Sequence, residues 1–352
     1  MKRLFVFLLL FVIGVTIPFG CSTNNGQENT LSLYNWSSYI DPSAIADFEQ
    51  KFAVKIKYDT YESNDDLYAK LKPGNPGYDV IFPSDYMVTI MRKENMLEAI
   101  ELNNIPNIKN VKQKFLNPPY DPGNQYSLPY QWQTIGIGYN IQATGKEITG
   151  WSDLFNYQKA GRVSLLDELR DTMSAALLYL GYDPNTTNPD QLNQARDLLI
   201  EKKDLIKTFA PDIGQNLLDQ GEVDLALEYS GDIFQVMEEN PNLRYVIPTE
   251  GAIIAADTMA IPKDAPHKEM AEKFINFILE PEIGAKISNF TKYGTPNQVA
   301  QDKGLINRED LNNKALYPPE EVFERLTYIK DVGEATAIYD RVWTEIKAGI
   351  GQ

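Results

Sequence analysis

The stretch Tyr78-Asp-Val-Ile-Phe-Pro-Ser-Asp-Tyr86 is a strand-like segment that ends in acidic and aromatic side chains. Four further strand-like segments also end in an aromatic or acidic residue: Leu31–Trp36, Arg162–Asp167, Val223–Tyr229 and Gly251–Asp257. In open α/β sheets, ligands bind outside the carboxyl ends of the strands, so side chains at those ends line the site. Aromatic rings and carboxylates without a basic residue predict a site for an organic cation with an apolar body.

The composition is that of a soluble globular protein large enough for two domains. The chain has 352 residues, of which 43% are hydrophobic and 23% charged. Its formal charge of −16, from 49 acidic and 33 basic residues, argues against a nucleic-acid-binding protein, which needs a basic face. An acidic field favours the approach of cations, although acidic surfaces also keep exported proteins soluble. We therefore expect no nucleic-acid partner.

The first 20 residues have the organisation of a secretory signal peptide. Lys2 and Arg3 form a positive start, and Leu4 to Ile17 is apolar apart from one glycine and one threonine. Such a run is too short, and wrongly flanked, to span a membrane as a helix. We predict that residues 1–20 direct export.

Cys21, the single cysteine of the chain, stands where a bacterial lipoprotein signal would end. One cysteine excludes an internal disulfide, and residues 21–29 are polar enough to serve as a tether. Lipoprotein signals usually carry leucine three residues before the cysteine, where this chain has Pro18, so an ordinary cleaved signal is the alternative. We predict lipid attachment at Cys21, which would hold the protein at a membrane, in a periplasm or at a cell surface.

Strand-like and helix-like segments alternate almost to the end of the chain, which predicts an α/β fold with a largely parallel sheet. Glycine and proline mark two crossings, near Ser127 to Gly138 and near Pro248 to Asp257. Two crossings predict two lobes built from discontinuous segments, with a cleft between them. We assign residues 30–135 and 256–300 to lobe 1, and residues 136–255 and 301–352 to lobe 2.

Few residues of the chain suit catalysis. The only histidine, His267, stands among charged neighbours at a predicted helix start, which indicates a solvated position. A zinc cluster and a nucleophile paired with histidine are therefore excluded, and no phosphate-binding glycine motif occurs. Asp167, Glu168 and Asp171 could cap a helix, although Glu168 and Asp171 share a helix face and suit an ammonium group. We expect no enzyme and no cofactor, and a carboxylate-dependent hydrolase at the cell surface is the alternative.

An ordered set of short segments resembles the bacterial spermidine/putrescine-binding proteins of ABC importers. The segments cover essentially the whole mature chain at similar spacings: Leu33–Ile40, Thr60–Asn64 with Tyr68–Leu71, Tyr78–Tyr86, Ser127–Tyr130, Leu165–Arg170, Tyr293–Asn297 and Leu316–Pro318. The resemblance implies an α/β, two-lobed periplasmic-binding-protein fold of type II with the ligand cleft between the lobes. It also implies a function: the chain would capture a polyamine and deliver it to an ABC permease. We expect a monomer.

Position by position, the resemblance implies a set of ligand-binding residues. The family's aromatic box falls on Trp36, Tyr39, Tyr86, Tyr229 and Tyr293, its acids on Glu168, Asp171 and Asp257, and its polar contacts on Ser37 and Ser84. Rings at these places would cover methylene groups and stack on cations, while carboxylates would hold the terminal charges. For several of the aromatic residues, packing in the core of a lobe is the alternative.

The chain departs from the family's pattern in ways that bear on the ligand. Ala255 and Tyr229 stand where spermidine-preferring relatives carry tryptophan, a glutamate expected near Ser38 is missing, and so is a glutamine expected near Ile329. These changes predict a roomier site that is less acidic at one end, with selectivity shifted toward putrescine or a bulkier cation. A receptor of the same fold for ferric ion is a further alternative, but the presence of Trp36 and the absence of adjacent tyrosine pairs argue against it.

Overall fold

The computed structural model describes residues 29–211 and 213–350. The predicted signal peptide, Cys21 and almost all of the predicted tether lie outside these residues. None of the helices in the described residues has the length and apolar character that a membrane crossing requires.

One sheet of ten strands runs through the described part of the chain. The strands are β1 (Thr30–Trp36), β2 (Lys55–Tyr61), β3 (Val80–Ile81), β4 (Ser127–Asn140), β5 (Val163–Leu166), β6 (Ile206–Ala210), β7 (Leu225–Tyr229), β8 (Leu243–Val246), β9 (Ala252–Ala260) and β10 (Leu326–Tyr328). The main path of the sheet has the order β2-β1-β3-β9-β4-β7-β5-β6, while β8 pairs with β4 and β10 with β9.

Helices cover the sheet. The α-helices are α1 (Pro42–Phe52), α2 (Asn64–Leu71), α3 (Asp85–Lys93), α4 (Ile141–Thr144), α5 (Trp151–Phe155), α6 (Leu169–Tyr179), α7 (Pro189–Glu201), α8 (Gly214–Asp219), α9 (Ser230–Met237), α10 (Lys268–Ile278), α11 (Pro281–Thr291), α12 (Gln298–Asp302), α13 (Arg308–Asn312), α14 (Glu320–Phe323) and α15 (Thr336–Ile350). Short 3₁₀ turns occupy Leu102–Asn104, Pro106–Asn110, Gln113–Phe115, Lys203–Leu205 and Gly333–Ala335.

Local sequence signals explain several of these helix starts. Ser63 caps α2, since its hydroxyl accepts a hydrogen bond from the Asp66 amide over 3.0 Å, as the sequence predicts. Helix α7 begins at Pro189, after Asn188 as the cap, and buries the apolar face that its spacing predicts. Helix α10, predicted from Pro266, begins only at Lys268.

The sheet is mixed rather than largely parallel, which corrects the sequence prediction. On one side β2, β1 and β3 run parallel, and on the other side β7, β5 and β6 run parallel. Between these groups lie β4 and β9, which pair antiparallel with each other, while β9 pairs antiparallel with β3 and β4 with β7. The chain passes from the first lobe to the second along β4 and returns along β9. These two central strands therefore run in opposite directions.

Two large hydrophobic cores correspond to two lobes. On β4, Trp132 packs in the first core and Ile135 packs in the second. On β9, Ile253 packs in the second core and Ile254 packs in the first. These changes of core lie near the two predicted crossings, and the lobe boundaries up to residue 300 stay a prediction.

The predicted assignment of residues 301–352 to lobe 2 is wrong for the first part of this segment. Ile306 packs with Ala285 and Ala300, and Tyr317 packs against the first core. This early part of the predicted 301–352 segment therefore packs on lobe 1, whereas α15 contributes Val342 and Ile346 to the second core.

Candidate functional site

A single cavity between the lobes contains every ligand-binding residue that the sequence predicts. These residues are Trp36, Ser37, Tyr39, Ser84, Tyr86, Glu168, Asp171, Tyr229, Asp257 and Tyr293. The cavity encloses about 550 Å³ of empty space, including the part open to solvent. Residues far apart in the sequence meet here because β1 and β7 end at the cavity and α3 and α6 begin beside it.

The two crossing strands contribute alternate side chains to the cavity. Gln133 and Ile135 come from β4, and Ile253, Ala255 and Asp257 come from β9, where Ile254 also reaches the cavity wall. Side chains two apart on a strand point to the same face, which explains this spacing. Asp257 was predicted at the end of a strand, but β9 continues to residue 260. It reaches the cavity because its strand passes between the lobes.

Asp257 is held by donors from several elements. The Tyr39 hydroxyl donates to its Oδ2 over 2.6 Å, and the Ser84 hydroxyl donates to its Oδ1 over 2.6 Å. The Gln133 amide nitrogen adds a longer bond of 3.4 Å to Oδ2. Ser84 is the N-cap of α3 but makes no side-chain capping bond, so its hydroxyl serves Asp257 instead.

Glu168 and Asp171 form the acidic end on the second lobe. Glu168 is the N-cap of α6, yet its side chain makes no capping hydrogen bond, which argues against the capping alternative. The Tyr86 hydroxyl donates to Glu168 Oε1 over 3.3 Å, and the Tyr229 hydroxyl donates to Asp171 Oδ2 over 3.1 Å. Asp167 does not line the cavity and instead forms an ion pair with Lys347.

The aromatic residues differ in how deeply they are buried. The Trp36 indole donates to the Phe82 carbonyl over 2.9 Å, which fixes its ring at the cavity wall. Tyr39 and Tyr293 are each 3% exposed, and their rings meet edge to face with centroids 4.6 Å apart. The Tyr293 hydroxyl donates to Asp232 over 2.8 Å. Tyr39 and Tyr293 therefore belong both to the core of lobe 1 and to the cavity wall.

Asp85 is a fourth carboxylate of the cavity, and sequence reasoning missed it. It is 2% exposed and accepts hydrogen bonds from the amides of Tyr86, over 2.6 Å, and Ala256, over 3.2 Å. Its position between Ser84 and Tyr86 was an available signal. Gln133, a polar residue in a buried strand, was missed as well, and so were Asn64 and the isoleucines of β4 and β9.

Burial makes the four carboxyls unusually weak acids. Burial raises the pKa of Asp257 to about 6, of Asp171 to about 7 and of Asp85 to about 8. Burial, with Asp171 beside it, raises the pKa of Glu168 well above its ordinary value. Among the cavity-lining residues of the described chain, none is basic, and the neighbouring Arg170 donates to the Lys330 carbonyl and to Asn185. The cavity therefore favours a bound cation.

His267 lies outside the cavity. It is exposed, as predicted, but its Nδ1 lies 3.1 Å from both carboxylate oxygens of the buried Asp79. Within the described residues, no group of three or more histidines, cysteines or acids is placed to hold a metal ion.

Known proteins share this architecture along almost the whole chain. The family described as bacterial extracellular solute-binding protein matches residues 43–315. The spermidine/putrescine-binding periplasmic protein of Salmonella typhimurium is 37% identical over 336 residues, which are 95% of this chain and 96% of that protein.

Two solved structures are similar throughout. The spermidine/putrescine ABC transporter substrate-binding protein PotD of Streptococcus pneumoniae has a TM-score of 0.79 and 33% identity, covering 92% of this chain and 99% of that one. The Tp0655 (TpPotD) lipoprotein of Treponema pallidum has a TM-score of 0.80 and 32% identity, covering 90% and 99%. The resemblance and the predicted type II periplasmic-binding-protein fold are confirmed. The chain belongs to the family of bacterial extracellular solute-binding proteins, and its role is to bind a solute outside the cytoplasm.

Proposed function

We propose that the protein binds a polyamine in the cavity between its lobes and delivers it to an ABC permease. The observation that carries this proposal is a set of four carboxylates in a cavity with no basic side chain among its described lining residues: Asp85, Asp171 and Asp257 are buried, and Glu168 is half-buried. Aromatic rings make up much of the remaining wall. A polyamine matches both features, because its ammonium groups meet carboxylates and its methylene groups meet rings.

The ligand would join the lobes. Asp257 and Asp85 lie on the side of lobe 1, whereas Glu168 and Asp171 begin α6 of lobe 2. An ammonium group at each end of a short diamine would neutralise one acidic region of each lobe. Tyr86 already reaches across to Glu168, so closure brings groups of both lobes around the ligand.

Charge outside the cavity supports a short ligand. A second groove shares Tyr86 and Ile329 with the cavity and is lined by Lys93, Lys114 and Lys330, with Asp331 as its acid. Lysines oppose the entry of a further ammonium group, and Ile329 offers it no hydrogen bond. We therefore propose binding of putrescine and spermidine in preference to spermine.

The proposed setting is a membrane surface outside the cytoplasm. Lipid attachment at Cys21 would hold the protein beside its permease, and a relative with 32% identity is itself called a lipoprotein. Mass spectrometry of the mature protein should find an acylated N-terminal Cys21. An unmodified terminus beyond Cys21 would exclude the anchor, and sedimentation analysis would test the proposed monomer.

Titration calorimetry with putrescine, spermidine and spermine tests the ligand. We expect one amine per protein and tighter binding of putrescine and spermidine than of spermine. An absence of binding heat with all three, confirmed by the absence of a thermal shift, would reject the polyamine assignment. Native mass spectrometry of protein purified without refolding would identify any retained amine. A non-catalytic role predicts that the same amine is recovered unchanged.

A further inference from the structure

Gln133 lies in the centre of the sheet with its side chain in the cavity. It is 7% exposed and lines the cavity together with Asp257. Its Nε2 donates to Asp257 Oδ2 over 3.4 Å, whereas its Oε1 has no hydrogen-bond partner in the described part of the chain. A buried amide oxygen without a donor is unfavourable. The cavity therefore contains an acceptor that a bound molecule can satisfy.

The position of Gln133 follows from the strand register. Gln133 on β4 is directly opposite Ala255 on β9, and directly opposite residues of an antiparallel pair have neighbouring side chains on one face. Because Ala255 is small, the longer Gln133 side chain has room on that face to reach Asp257, two residues farther along β9.

The orientation of the amide is set by Asp257. Rotating the amide by half a turn would place Oε1 against Asp257 Oδ2, so that two acceptors would face each other. It would also leave Nε2 without this bond. The nitrogen therefore faces the carboxylate, and the oxygen remains available to a donor in the cavity.

We propose that Gln133 is a further ligand-binding residue, whose Oε1 accepts a hydrogen bond from the same terminal ammonium group that Asp257 neutralises. This inference rests on the proposed polyamine function. A carboxylate offers about four lone-pair sites, and those of Asp257 already accept from Tyr39, Ser84 and Gln133. A primary ammonium group carries three N–H donors, so it needs acceptors beyond Asp257. Gln133 supplies one of them and thereby favours a primary over a tertiary amine.

Replacing Gln133 with methionine removes the acceptor while keeping a long side chain. Titration calorimetry would compare putrescine with N,N,N′,N′-tetramethylputrescine, which has a single N–H on each charged nitrogen. We expect Gln133→Met to weaken putrescine binding about 10-fold or more, as for the loss of a hydrogen bond to a charged group. Binding of the tetramethyl compound should change less than about threefold, since Asp257 takes its single N–H.

Two further variants separate hydrogen bonding from packing. Gln133→Glu keeps an acceptor oxygen at the same place and should bind putrescine within about threefold of the wild type. If the new carboxyl is charged, both of its oxygens can accept; if it is protonated, its O–H donates to Asp257 and its other oxygen can accept. Gln194→Met, on the exposed face of α7, should bind like the wild type.

Specific results would overturn the proposal. Putrescine binding by Gln133→Met within about twofold of the wild type, or equal losses for both amines, would reduce Gln133 to a space-filling residue. If Gln133→Met does not fold, the putrescine affinity of Gln133→Glu decides: a loss of affinity of about 10-fold contradicts the proposal, and an affinity like that of the wild type supports it. A wild-type protein that binds no amine would instead reject the proposed function itself.

Discussion

Replacing Asp257 with asparagine should separate ligand binding from stability. Asp257 is 2% exposed, and burial raises its pKa to about 6. Above that pH the empty protein holds a buried charge that the unfolded chain would expose to water. Asparagine keeps the size of the side chain and removes the charge. We expect weaker polyamine binding without a matching loss of stability.

The magnitudes follow from the environment of Asp257. A rise in pKa from 3.8 to about 6 means that ionisation subtracts roughly 3 kcal/mol from the free energy of unfolding at neutral pH. Asparagine removes this penalty but leaves one of three hydroxyl and amide donors poorly paired, which costs about 1–3 kcal/mol. The net change in stability should therefore stay within about 2 kcal/mol. Loss of the charge partner of a buried ammonium should weaken binding by about 2–5 kcal/mol, or roughly 30-fold to 5,000-fold.

Titration calorimetry with putrescine and thermal unfolding without ligand would measure the two effects at neutral pH. Asp224→Asn is the matched control, because Asp224 is an equally buried acid that pairs with Arg162 and Lys159 outside the cavity. The control should lower the unfolding temperature and leave the affinity unchanged. Binding by Asp257→Asn within about threefold of the wild type would refute the reasoning. So would destabilisation as large as in Asp224→Asn.

Three further predictions concern the same cavity. The stability of the empty protein should fall as pH rises from about 4 to 8, because Asp171, with a pKa of about 7, and Asp85, with a pKa of about 8, retain protons that the unfolded chain has lost. Saturating putrescine should flatten this decline in scanning calorimetry, and a stability that rises over this range would contradict the assignment. Putrescine binding near pH 7 should release protons, so the calorimetric heat should depend on the ionisation enthalpy of the buffer; buffer-independent heats would contradict this exchange. Ala255→Trp should weaken putrescine binding by crowding Gln133, and because the two residues are directly opposite, the loss in the double variant Ala255→Trp/Gln133→Gly should be smaller than the sum of the two single losses; additive losses in this double-mutant cycle would contradict the contact.

The predicted site residues came from the family resemblance, and four of the ten also follow a local rule. Trp36 and Tyr229 end strands, Ser84 and Glu168 precede helices, and such ends gather at one edge of an α/β sheet. Local patterns also explain why Ser63 caps α2, since that signal lies within one turn. Their success does not depend on which strands become neighbours.

The missed residues depend on pairings between distant segments. The face to which Gln133 points is set by its register with Ala255, and Asp257 reaches the cavity only because β9 crosses between the lobes. The direction of a strand relative to its neighbours also depends on pairings between distant segments. The alternation of helices and strands therefore suggested a parallel sheet, although the centre of the sheet is antiparallel. Asp85 lies in a segment that the sequence singled out, but its burial depends on contact with the distant strand β9, whose Ala256 amide donates to it.

The placement of the four acids explains how a ligand could favour the closed arrangement of the lobes. Asp85 and Asp257 face Glu168 and Asp171 across the cavity, and like charges in a buried site repel each other, so a closure of the lobes would be opposed by this repulsion. Burial, with a smaller contribution from the neighbouring carboxylates, raises the pKa values of Asp85 and Asp171, so an empty cavity keeps protons and thereby relieves this repulsion. A diamine replaces those protons with two fixed positive charges, one for each acidic region. A monoamine neutralises only one region. The charge of the two lobes, as well as the shape of the cavity, would therefore discriminate between a diamine and a monoamine.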